Sequence, residues 1–163
     1  MMKKLHLGCG EIRLDDFINI DIRPEVNPDM CMDISDLSAF ETNTIDYILA
    51  HDVLEHFSHT KVKDVFTEWV RCLKIGGQIE FQVPSIDRIY ADRNEIINRH
   101  KGDSTTRFSR LIFGGQDYPS NYHFVCLTPE FFEFMAEKLN LKIVDYFPEV
   151  GLYNHKVILE KLK

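Results

Sequence analysis

Leu5-His6-Leu7-Gly8-Cys9-Gly10, followed by Phe17-Ile18-Asn19-Ile20-Asp21, is the stretch on which the fold turns. A short apolar run enters two glycines, and a second apolar run ends on a carboxylate. A buried strand that turns on residues without Cβ lets the backbone approach a bound ligand closely. A second strand then brings Asp21 to the same edge of the sheet. In open α/β sheets ligands bind outside the carboxyl ends of the strands, and an acid ending the second strand commonly takes ribose hydroxyls. The same residues also fit a glycine-rich turn between two hairpin strands, with Asp21 an ordinary turn residue. The rest of the chain has to decide between the two.

Downstream, Pro24 and Pro28 forbid a regular helix and mark a loop. Met30–Ile34 reads as a short third strand with Asp33 at its end, and Ile45–Ala50 as a central fourth strand followed at once by His51-Asp52. Between them, residues 35 to 43 form a polar connector. From Thr60 to Leu73, Val62, Val65, Phe66, Trp69, Val70 and Leu73 recur at helical spacing, and Gly76-Gly77 is the expected stop. Gln78–Pro84 alternates as a fifth strand. Residues 85–124 break the rhythm with two weak helical stretches, about 87–99 and 105–113, and a polar, aromatic, glycine-punctuated segment. So long a connection is expected to be an insertion or lid over a site. Thr128 is a plausible N-cap before Pro129, with Phe131, Phe132, Met135 and Leu139 as the buried stripe. Two closing strands, 142–147 and 156–160, complete the pattern. Strands alternating with helices favour a parallel sheet with crossovers, and the whole of 1–163 reads as a single domain.

Composition narrows the classes. The chain has 163 residues, 44% hydrophobic and 28% charged, within the range of a soluble globular protein. No apolar run reaches the roughly 20 residues needed to span a bilayer, and Met-Met-Lys-Lys opens no signal peptide, so a cytoplasmic location is expected. The net charge of −7 disfavours nucleic acid as a partner. Cys9, Cys31, Cys72 and Cys126 form no C-x-x-C pair and are expected to be reduced and mostly buried. His59, His100 and His155 are scattered, and no H-x-E or H-x-x-x-H pair points to a metal.

Four stretches together resemble the class I S-adenosylmethionine-dependent methyltransferases, and more narrowly the small enzymes of methyltransferase type 11 and of surface-sugar metabolism. Leu5–Gly10 resembles the glycine-rich first loop, and Ile18–Asp21 the second strand with its ribose acid. Val53-Leu54-Glu55-His56 is similar to the "LEH" signature after strand four, and Leu73–Gly77 to the "LKPGG" turn, with Ile75 in place of proline. There are departures. Ile12 stands where a third glycine is common, and ten residues between Gly10 and Asp21 leave room for only a stub of the first helix. No N-terminal helix precedes strand one, so segment 85–124 or a partner subunit, as in a homodimer, would have to supply its cover.

The resemblance implies a Rossmann-like α/β fold: a seven-stranded sheet, mostly parallel, with an antiparallel last strand. It implies S-adenosyl-L-methionine as cofactor, held by Leu7, Gly8, Cys9, Gly10, Asp21, Ile22, Asp33, Ile34, His51 and Asp52. Asp33 fits an N-cap for Ser35–Ser38 equally well, and Glu55 with His56 fits a structural hydrogen-bonded pair. Transfer from a sulfonium is an in-line displacement, and a base is needed only where the acceptor must lose a proton. His123, beside Tyr118 and Tyr122, is the favoured base, and His51 the alternative. The expected activity is O-methylation of a small or sugar-linked acceptor. A non-catalytic methyltransferase-like module and a nicotinamide oxidoreductase are the competing readings. Gly8-x-Gly10-x-x-Arg13 lacks the last glycine the oxidoreductase needs.

Overall fold

In a computed structural model, which describes residues 2–99 and 102–163, seven strands form one sheet in the order β3-β2-β1-β4-β5-β7-β6. These are β1 (Lys4–Leu7), β2 (Ile18–Asp21), β3 (Met30–Cys31), β4 (Ile45–His51), β5 (Leu73–Pro84), β6 (Leu141–Val150) and β7 (Asn154–Lys161). β1 to β5 are parallel, and β7 inserts between β5 and β6, antiparallel to both. The hairpin alternative for β1 and β2 is thereby excluded. His100 lies outside the described residues.

Register explains the sheet's two faces. Leu5 lies beside Ile18 and Ile48, Ile48 beside Ile79, and Ile79 beside Leu159, so one apolar row crosses five strands. The next row is His6, Asn19, Leu49, Glu80 and Ile158, which points the other way. Helices α1 (Val62–Cys72) and α5 (Pro129–Leu139) pack on the first face. There Phe66 stacks on Phe81 with ring centroids 4.8 Å apart, and Trp69, Phe81 and Phe132 are fully buried. Trp69 donates its indole N–H to the Ile34 carbonyl at 2.7 Å, tying α1 to the segment after β3. Among the described residues, the links β1–β2 and β2–β3 hold no α-helix. Tyr47, Leu49, Glu80, Lys156 and Ile158 on the second face are only partly buried.

Several local expectations are corrected. α1 stops at Cys72, ahead of the glycines, because Leu73 turns extended to pair with Ile45. The buried Lys161 ammonium holds this junction, donating to the carbonyl of Val70, which also accepts from Leu73 N–H, and to that of Leu73, each at 2.9 Å. Gly76-Gly77 therefore lies within β5, at the irregular pairing with β4. β3 ends at Cys31, so Asp33 stands beyond the strand, and His51 is the last residue of β4. Thr128 occupies the N-cap position of α5, but its side chain makes no capping bond. Cys9 and Cys72 are buried, whereas Cys31 and Cys126 are exposed, and all four are free thiols.

The segment between β5 and α5 contains α2 (Ile86–Ala91), α3 (Arg93–Arg99) and α4 (Ser104–Phe113). They gather their own small core of Ile89, Ile96 and Tyr153 with Phe108, Leu111 and Ile112. After Gly114 the chain runs back as a strap over the carboxyl edge of the sheet. His123 N–H donates to the Phe113 carbonyl at 3.0 Å and Phe124 N–H to the Glu55 carbonyl at 2.9 Å. Among the described residues, no helix is long and apolar enough to cross a membrane.

Candidate active site

Between the carboxyl ends of β1, β2 and β4 and the strap lies a cavity of about 230 Å³. Gly8, Asp21, Ile22, Asp33, Ile34 and Asp52 form its floor and walls. Gly8 has φ +63°, and a Cβ there would lie 2.5 Å from Val53 Cγ2. Glycine is therefore required both by the turn and by its neighbour. Leu7 and Cys9 are buried beneath the turn, and Gly10 and His51 are likewise not among the cavity walls.

Asp21 is 5% exposed and already well supplied with donors. Its Oδ2 accepts from Gly10 N–H at 2.8 Å, and its Oδ1 from Arg23 N–H at 2.9 Å and Arg23 Nε at 3.2 Å. Burial raises its pKa, but these bonds and the guanidinium charge outweigh that and hold the carboxyl below its ordinary value. Three donors leave one of about four acceptor positions free, so a ribose diol binding both oxygens needs Arg23 to yield. The Arg23 guanidinium also stacks on Tyr118, 4.4 Å from the ring centre, and thus bridges the floor to the strap. The cavity is smaller than the roughly 300–1,000 Å³ of most small-molecule sites, which fits a pocket partly filled by this side chain.

Asp33 Oδ1 accepts from Ser35 N–H at 2.8 Å, so the turn-capping role is present while the residue still lines the cavity. Asp52 adopts φ +51°, uncommon for a residue with a side chain. It is fixed there by Gln82 Nε2 at 3.1 Å and Asn154 Nδ2 at 2.6 Å. Burial nevertheless raises its pKa over the lowering by those bonds.

His51, the alternative base, turns to the second face of the sheet, where Nε2 meets Glu80 Oε1 at 2.8 Å. His56 instead lines the cavity, on the 3-10 turn Leu54–His56. Its Nδ1 donates to the Tyr122 carbonyl at 2.9 Å, and burial lowers its pKa. His123 stands behind it, ring centroids 5.0 Å apart, with Nε2 at 3.9 Å from Glu55 Oε1. Burial, then the neighbouring His56, lowers His123 to about 4, so the ring is neutral at pH 7. Glu55 is 1% exposed and neither carboxyl oxygen has a hydrogen-bond partner; burial and then Asp52 push its pKa well up. Glu55 and His56 are thus no hydrogen-bonded pair. Val53, Phe57, Ser120 and Phe124 also line the cavity. Sequence reading passed over them, since apolar residues beside a motif and a serine in a polar loop carry no distinguishing spacing.

A glycine turn, two strand-end acids and this strand order coincide at one sheet edge. Residues 5–81 match the methyltransferase-domain family model. The matched stretch includes the turn, Asp21, Asp33, Glu55 and His56. No curated protein sequence matches the chain. Among solved structures, protein PH0226 of Pyrococcus horikoshii superposes with a TM-score of 0.69 at 20% identity, over 98% of this chain and 81% of that one. An S-adenosylmethionine-dependent methyltransferase of Archaeoglobus fulgidus gives 0.67 at 13% identity, over 98% and 86%. Another from Clostridium acetobutylicum gives 0.65 at 15%, over 98% and 83%. The fold is that of the Rossmann-like methyltransferases, and the family match supports a methyltransferase activity; the cofactor of those last two neighbours is S-adenosylmethionine. The residues fit that cofactor: the glycine turn approaches the cavity without a Cβ, and Asp21 is ionised at its edge.

Proposed function

We propose that the chain is a cytoplasmic S-adenosylmethionine-dependent methyltransferase that methylates a hydroxyl of a small or sugar-linked acceptor. The observation that carries this reading is a single cavity joining the glycine turn, Asp21 and Asp33 on one side to His56 on the other. The cofactor supplies a methyl group on a positively charged sulfur, already activated for displacement. Gly8 and Ile34 give it close backbone and apolar contact, Asp21 takes the ribose, and Asp33 faces the adenine amine. Tyr118, Ser120 and Phe124 bring the strap over it, and segment 85–124 works as the lid that excludes water. The acceptor's proton leaves toward the His56–His123–Glu55 group, whose imidazoles are kept neutral by burial. His51, engaged with Glu80, has no part in it. Exposed free thiols at Cys31 and Cys126 suit a reducing compartment.

The test is transfer of an isotopically labelled methyl group from S-adenosylmethionine to a panel of nucleotide-linked sugars, free sugars and phenols. Label on a hydroxyl oxygen is expected, with His123→Ala lowering turnover by roughly 10²-fold and leaving cofactor affinity intact. Label on nitrogen or carbon, or full turnover in His123→Ala, would contradict it.

A further inference from the structure

Glu55 poses a problem that the methyl transfer reading leaves unanswered. A carboxyl group that is 1% exposed, with both oxygens unpartnered, is costly to bury. Nearly all such groups find a hydrogen bond, an ion pair or a metal. The one basic side chain paired with it, His123, has its Nε2 at 3.9 Å from Glu55 Oε1, too far for a hydrogen bond. One ligand atom from each of Glu55, His56 and His123 lies within 4.8 Å of the other two, the one such group found among the described residues.

We propose that Glu55, His56 and His123 form a binding site for a divalent transition metal, best filled by Zn²⁺, opening onto the cavity. The ligand set decides the class of ion. Two imidazoles and one carboxylate suit zinc, iron or a neighbouring transition metal, whereas magnesium and calcium prefer oxygen ligands throughout. Three protein ligands leave at least one coordination position open, and His56 places it at the cavity wall. The outer shell is already built. His56 donates Nδ1–H to the Tyr122 carbonyl, so its other nitrogen carries the lone pair. Metal-bound histidines characteristically have this second anchor, which fixes tautomer and orientation. The backbone bonds from His123 N–H to Phe113 and from Phe124 N–H to Glu55 hold the strap and the 3-10 turn at this separation. A bound dication would give the buried carboxylate its missing partner.

The inference rests on the proposed function for its place at the acceptor end of the cavity and changes how the proton leaves. With the imidazole lone pairs taken up by a metal, an acceptor oxygen at the open position would lose its proton more readily, and the ring nitrogens need not accept it. The geometry itself does not depend on methyl transfer. In protein with the exposed Cys31 and Cys126 replaced by serine and stripped with chelator, calorimetric titration with Zn²⁺ alone should show one site per chain with Kd below about 1 μM. Glu55→Gln and His123→Ala should each weaken it at least 10²-fold, and Mg²⁺ should not compete. X-ray absorption of the unsubstituted protein loaded with one Zn²⁺ should show two imidazoles and oxygen ligands, and requires no variant to fold. No Zn²⁺ binding, equal binding in both variants, or sulfur in the shell would overturn the site. Binding of S-adenosylhomocysteine, followed on the same samples, separates the two ideas. Its absence with Zn²⁺ binding intact removes the methyltransferase reading only, and the converse removes only the metal site.

Discussion

The two faces of the sheet are made by the same strands, yet they do different work. One face is apolar and aromatic, covered by α1 and α5, with Phe66, Trp69, Phe81 and Phe132 buried among one another. The other carries Tyr47, His51, Glu80 and Lys156 in a polar cluster: Tyr47 OH donates to Glu80 Oε2 at 2.7 Å, and Lys156 Nζ sits 3.3 Å from Glu80 Oε1. Phe17, edge-on to both His6 and Tyr47, covers part of it where a helix would otherwise stand. The difference teaches that one covered face holds the sheet together. The ligand edge needs only the strand ends and the turns between them, so the connecting helices can be lost without dismantling the cavity.

That division can be broken most directly by truncation. Phe81→Ala removes a fully buried ring and is expected to destabilise the fold by about 3–5 kcal/mol. Leu49→Ala, on the partly exposed face, should cost no more than about 1–2 kcal/mol in the same urea titration. Equal losses would mean that the second face is also covered in solution. Next in size is Asp21→Ala, which should weaken S-adenosylhomocysteine binding by about 1–3 kcal/mol through lost charge-assisted bonds. Glu80→Gln, on the other face, should leave that affinity unchanged. If both variants bind alike, the strand end and the sheet face are not functionally distinct.

The smallest effect is a pH dependence. Burial raises the Glu80 pKa, but bonds from Tyr47 and His51 and the charge of Lys156 prevail, leaving it below its ordinary 4.5. A carboxylate depressed in the folded state stabilises above its unfolded pKa, and that stabilisation is lost as pH falls through the folded value. Stability should therefore decline below about pH 4.5, and Glu80→Gln should flatten that part of the curve, as read by thermal melting across pH 3 to 6. An unchanged slope would show that the cluster on this face contributes nothing.

Much of the fold was legible because it is written in local patterns. The apolar runs ending in Asp21 and His51, and the helical spacing of Val62, Phe66, Trp69 and Val70, fix the strand and helix identities. The end of α1 was misplaced because Leu73 leaves the helix to pair with Ile45 and Lys161 ties down the junction, both partners being remote in sequence. The wall of the cavity at the sheet edge was similarly readable, since Gly8, Asp21, Asp33 and Asp52 stand at or just beyond strand ends. The juxtaposition at the opposite wall was not, although Glu55, His56 and His123 were each singled out. Glu55, His56 and His123 meet only when the strap folds over the 3-10 turn, and 66 residues separate His56 from His123. No local metal motif contains them, so their grouping could not be read from spacing. Arg23 likewise gave no signal: its bond to Asp21 and its stacking on Tyr118 emerge from tertiary proximity.

Titration of the unsubstituted protein with S-adenosylhomocysteine, with NAD as the parallel ligand, tests the central claim most directly. S-Adenosylhomocysteine should saturate one site per chain with Kd on the order of 1–100 μM, while NAD gives no heat of binding. Binding of NAD alone, or of neither ligand, would contradict the assignment of this cavity to S-adenosylmethionine.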